Sequence, residues 1–183
     1  TVNIDSASEW NDVAAGGGNV LTWGNQAAGD IFCANAKTAI AINVDVPACA
    51  RLSTAAEGTG AAGGGFTLTL AASARTIAAS ILAGTTSCVV VSNSTNRLAV
   101  TGNVTGGSSS AARGIDFGTN APKVDVTGNV TGGSAATAHG INSTGAVGNP
   151  TVSGTVTGGS AAAVAGVLLH TNSGDSLTAS AVA

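Results

Sequence analysis

The sequence predicts an all-β solenoid with coils of about 26 residues. Three observations predict it. First, the stretch VTGNVTGGS at Val100–Ser108 returns unchanged at Val126–Ser134 and nearly unchanged, as VSGTVTGGS, at Val152–Ser160, always 26 residues on. Second, apolar residues alternate within each copy, as in Leu98-x-Val100 and Val124-x-Val126, which is the period of a strand. Third, only 8% of residues are charged and 3% aromatic, with neither Tyr nor Met. Such a chain lacks the bulk to fill a wide core, whereas a narrow core fed by short aliphatic side chains suits it.

Along the chain, residues 1–65 read as an N-terminal cap and irregular first coils, and 66–183 as regular coils. Ser6 and Glu9 stand at capping-box spacing before a short run that ends at Gly16, which predicts a short capping helix within Ser6–Gly18. Trp10 and Val13 would lie on one face of it and cover the first coil. The alternative is a surface turn. The stretches AIAINVDV (Ala39–Val46) and FTLTL (Phe66–Leu70) alternate as strands do. From there the columns become regular. Val100, Val126 and Val152 share one phase, Val104, Val130 and Val156 a second, and Ile115, Ile141 and Val167 a third. Gly114, Gly140 and Gly166 precede the third column, and a worn upstream copy places Val89 in the phase of Ile115.

Strict periods of 20–50 residues mark solenoids, propellers or arrays. A propeller blade needs ~40–45 residues and four strands, and no segment here carries a helical stripe long enough for a two-helix unit. Twenty-six residues suit one solenoid coil of two or three short strands with bends at Gly106-Gly107 and Gly132-Gly133. Coils stacked at ~4.8 Å place like residues in ladders. Val and Ile ladders fill the core, and Asn103 and Asn129 stack with their amides free to hydrogen-bond from coil to coil, until Thr155 interrupts them.

The coil VTGNVTGGSAATAHGI (Val126–Ile141) resembles those of the right-handed parallel β-helix family, to which pectate lyases, phage tailspikes and many secreted adhesins belong. The resemblance covers about residues 66–183. It implies a single-stranded right-handed parallel β-helix, and its habit of plugging the N-terminal end with a helix supports the cap. It does not select an activity, because this fold hosts many.

Composition excludes some classes. Low charge, many β-branched residues and an exact repeat argue against disorder. Mean hydropathy is positive, yet no stretch approaches the ~20 apolar residues of a spanning helix, so no membrane insertion is expected. A net charge of −3 with six scattered Lys and Arg residues argues against nucleic acid. Of the three cysteines, Cys33 and Cys49 flank ANAKTAIAINVDVPA within the irregular N-terminal third. They read as a disulfide worth roughly 3 kcal/mol by loop entropy or, alternatively, as two buried thiols. Cys88, on a ladder position, reads as a small buried residue.

No catalytic, metal or cofactor site is predicted, and no cofactor is expected. Among the nine acidic residues, Asp116, Asp125 and Asp175 lie in the clear repeats and share no phase. Asp116 shares a phase with Asn142 and Leu168, and Asp125 with Ala99 and Thr151. Asp175 falls in the column of Arg97, Lys123 and Asn149, a solvated stripe. His139 and His170 lack partners at metal-ligand spacing. The sequons at Asn93, Asn103, Asn129 and Asn142 are by-products of an Asn/Thr/Ser-rich chain.

The function expected is a non-enzymatic structural or adhesive protein outside the cell or on its surface, a fibre subunit or adhesin. It would associate with itself end to end as a fibre or side by side as a trimer. The C-terminal stretch Asp175–Ala183 shows no amphipathic cap and reads as truncated, frayed or covered by another subunit, the last being the preferred reading. A start at Thr1, with no Met and no leader, fits a processed secreted protein or simply an expressed piece of a longer one. The alternative is a virion protein of the tail-fibre or tailspike kind that binds, and in some cases cleaves, a cell-surface glycan, although few aromatic residues are present to stack on sugars.

Overall fold

A computed structural model describes residues 2–3, 5, 10–11, 31–34, 39–49, 51–53, 67–70, 74–82, 89–91, 97–107, 112–117, 123–134, 138–143, 149–160, 166–168 and 176–183. Among them the regular elements are all strands: β1 (Val2–Asn3), β2 (Trp10–Asn11), β3 (Ile31–Ala34), β4 (Ala39–Ile42), β5 (Arg51–Ser53), β6 (Thr67–Leu70), β7 (Arg75–Ile77), β8 (Ser80–Leu82), β9 (Val89–Val91), β10 (Arg97–Thr101), β11 (Val104–Thr105), β12 (Ile115–Phe117), β13 (Lys123–Thr127), β14 (Val130–Thr131), β15 (Ile141–Ser143), β16 (Thr151–Thr157), β17 (Val167–Leu168) and β18 (Thr178–Val182).

Two sheets hold them. The first has seven strands in the order β1-β4-β6-β9-β12-β15-β17. The second has eleven, in the order β2-β3-β5-β8-β11-β14-β16-β13-β10-β7, with β18 beside β16. Their pairings are parallel except that of β2 with β3. Parallel neighbours cannot be joined by a tight hairpin, because the chain must cross over before it returns. Here the crossover visits the other sheet. The chain runs through β10 and β11 in the second sheet and β12 in the first, then returns as β13, β14 and β15.

The register lines up three apolar columns. One follows Val46, Ile77, Val100, Val126, Val152 and Ala179. A second follows Phe32, Leu52, Ile81, Val104, Val130, Val156 and Val182. The third, in the first sheet, follows Val2, Ile40, Leu68, Val89, Ile115, Ile141 and Val167. Strands β10 and β13 share one burial pattern: Leu98, Val100, Val124 and Val126 are buried, while Arg97, Thr101, Lys123 and Thr127 are exposed. Leu52, Ile77, Ile81, Leu98, Val104, Val130, Val156, Ile115 and Ile141 belong to one apolar cluster with Phe117, its largest fully buried member.

Between the two strands of a repeat the chain bends at glycine. Gly102 and Gly128 have φ of 153° and 151°, where side chains are rarely tolerated. A Cβ on Gly128 would also lie against the Gly102 carbonyl of the layer below. In the next copy, where Thr155 replaces Asn, the strand runs unbroken as β16.

Two sequence expectations are corrected. Trp10 and Asn11 are not helical. They form β2 and pair antiparallel with Ala34 and Cys33 of β3. The backbone of β3 offers an edge that must find partners, and this strand meets it. The rest of Ser6–Gly18, Val13 included, lies outside the described residues. The Asp175 column is also corrected. Pairing of β16 with β18 shifts between Val152 and Thr155, and Asn149 Oδ1 accepts hydrogen bonds from the Ser176 N–H and hydroxyl, 27 residues on. Ser176 therefore neighbours Asn149 in that column. Asp175 itself, Cys88, Asn93 and His170 lie outside the described residues.

Candidate functional site

The repeated Thr-Gly-Gly corners of three successive layers line one shallow groove of 530 Å³, from Thr105-Gly106-Gly107 through Thr131-Gly132-Gly133 to Thr157-Gly158-Gly159, with Ser134 and Ser160 at its rim. Thr105, Thr131 and Thr157 follow directly on the buried Val104, Val130 and Val156, so strand alternation turns them outward. The corners need glycine because backbone packs on backbone. A Cβ on Gly133 would run into the Gly107 and Ala112 carbonyls. The same closeness makes the bonds that hold the turn: the Gly133 N–H donates to the Ala112 carbonyl at 2.8 Å and the Ser134 N–H to the Gly107 carbonyl at 3.2 Å. The Ser160 hydroxyl reaches the Ser134 carbonyl at 3.0 Å. The lining thus offers hydroxyls and peptide groups and carries no charged side chain.

A polar ladder stands beside the groove. Asn103 Oδ1 accepts the Asn129 N–H and Asn129 Oδ1 accepts the Thr155 N–H, both at 2.9 Å. Ser80 Oγ does the same for the Asn103 N–H at 3.1 Å. The ladder therefore runs from side chain to backbone rather than from side-chain amide to side-chain amide, and the Thr155 N–H is its last donor. Sequence reasoning missed Ser80, because the layer below is offset by 23 residues rather than 26.

The described carboxylates of the repeats are tied to cations. Asp125, in β13, accepts Arg97 Nε at 2.6 Å and lies 3.6 Å from Lys123 Nζ. Arg97 and Lys123 are direct register partners, so Asp125 relieves two like charges stacked one above the other. Burial works against its charge, but the hydrogen bond from Thr151 and the two cations outweigh it and hold the carboxyl below its ordinary value. Asp116, in β12, receives Arg113 Nη1 and Asn142 Nδ2 on its two oxygens, each at 2.8 Å. Asn142, only 1% exposed, sits directly above it in β15. A bonded partner of this kind is what a buried amide requires. The shared phase of Asp116 and Asn142 is legible in the sequence, but the burial of Asn142 is not.

His139 is half-buried, and its carbonyl accepts the Gly114 N–H at 3.2 Å. Among the described residues no three His, Cys, Asp or Glu side chains gather as a metal site would require, and no helix is long and apolar enough to cross a membrane. Of the expected Cys33–Cys49 bridge, only the Cys49 side chain falls within the described residues. Cys49 is 8% exposed within the apolar cluster. Cys33 is placed by the backbone of β3, and its side chain lies outside the described residues.

In comparisons with known proteins, no family model, curated protein or solved structure matches the chain.

Proposed function

We propose that the chain is a structural or adhesive β-solenoid of the right-handed parallel β-helix type, working outside the cell as a stiff rod. The observation that carries this reading is the unbroken register of the first sheet, in which seven strands stack in parallel from Val2 to Val167. At ~4.8 Å per layer the stack is roughly 30 Å tall. Successive layers are bonded by backbone, the layers of Asn103, Asn129 and Thr155 also by the asparagine ladder, and buried apolar columns run through the stack, so bending the rod breaks many bonds together. A right-handed winding is the hand that parallel crossovers adopt. Asp116 and Asp125 serve the layers through Arg113, Asn142, Arg97 and Lys123, a use consistent with a scaffold and with no enzymatic role.

The partner proposed is another copy of the chain. Leu168 on β17 and Val182 on β18 are 47% and 57% exposed, and both strands can extend their sheets by one further layer. Electron microscopy of the native preparation, with light scattering over a concentration series, tests the reading. Elongated particles or filaments that lengthen with concentration are expected. A compact monomer that depolymerises a polysaccharide would overturn it.

A second reading is favoured by the groove. Its uncharged, hydroxyl-lined course across three layers suits a neutral cell-surface glycan, as in a fibre or tailspike that binds its host. Co-sedimentation with insoluble polysaccharides, wild type against Thr131→Val, tests it. Retention of wild type that the variant loses supports this reading, and equal retention removes the groove from it.

A further inference from the structure

We draw no further inference here: the strongest candidate, the groove along the stacked Thr-Gly-Gly-Ser corners at Thr105, Thr131 and Thr157, belongs to the site already described and is a stripe of small residues with nothing in the structure to show what covers it.

Discussion

The two halves of this molecule build the same stack by different rules. From Arg97 to Leu168 the layers repeat at 26 residues, so Val stands on Val and Ile on Ile. Before Arg97 the spacing wanders. Ile31 pairs with Arg51, 20 residues on, Arg51 with Ser80, 29 on, and Leu68 with Val89, 21 on. The strands still fall into the same columns. Phe32 and Leu52 stand below Ile81, and Ile40 and Leu68 below Val89. A parallel stack demands that short aliphatic strands return to the same place, not that the loops between them be equal. Changing loop length costs little, because closure entropy grows only logarithmically with length. The comparison teaches that exact periodicity is a property of one part of the chain, while the columns belong to the whole.

The strongest way to break this picture is to charge a column. Val130→Asp places a carboxylate between the buried Val104 and Val156 and is expected to cost several kcal/mol, on the order of 3–5. Thr131→Asp, one residue on and facing outward, should cost less than about 1 kcal/mol. Denaturant melts of both variants check the pair, and equal losses would reverse the inward and outward assignment.

The next experiment compares the halves directly. Leu52 lies in the irregular half and Leu98 in the regular one, both fully buried in one cluster. Truncating either to Ala should cost ~2–5 kcal/mol. If Leu52→Ala alone costs under ~1 kcal/mol in the same melt, the first layers do not share the core of the repeats.

Smaller effects sharpen the regular half. Gly128→Ala must adopt φ near 151° with its Cβ against the Gly102 carbonyl, a strain of ~1–3 kcal/mol. Thr127→Ala, its exposed neighbour, should lie within ~0.5 kcal/mol of wild type. Thermal melts separate the two, and a neutral Gly128→Ala would mean the bend tolerates a side chain.

The smallest effect is electrostatic. The folded Asp125 carboxyl titrates below its ordinary value of 3.8. Its pairing therefore stabilises the fold at pH above that value and is lost as the pH falls through the lower folded pKa. Because Arg97 and Lys123 are largely exposed, the gain should stay under ~1 kcal/mol and shrink with added salt. Asp125→Asn should melt slightly below wild type at neutral pH, and the gap should close below pH ~4. A gap that widens in acid would show that the ion pair is not its source.

Much of the regular half is legible from residues alone. The identical copies at Val100–Ser108 and Val126–Ser134 announce their own register, and the structure pairs Val100 with Val126 and Val104 with Val130. The alternation of Ala39–Val46 and Phe66–Leu70 marks β4 and β6. The strands IFCA and RLS of β3 and β5 carry no such signal. IFCA is apolar at every position and RLS is only three residues long, so neither shows a period, and unequal loops hide their partners. Of the candidate site, the Thr-Gly-Gly corners are visible as a repeat, but the groove they form is not, because concavity depends on how successive corners lie against one another.

The sequence by itself determined the 26-residue period, the aliphatic columns and the parallel stacking of Ile115, Ile141 and Val167, since in a stack of equal layers spacing along the chain becomes position in space. Only the tertiary structure decided what happens where layers are unequal or where a side chain can bond in more than one direction. It made Trp10–Asn11 a strand rather than a helix, put Ser176 beside Asn149, buried Asn142 with its amide on Asp116 and aimed the asparagine ladder at backbone N–H groups. Each of these outcomes is a contest for hydrogen-bond partners. Such contests are settled by which donors and acceptors the neighbouring layer presents within about 3 Å, a distance that no spacing of letters records.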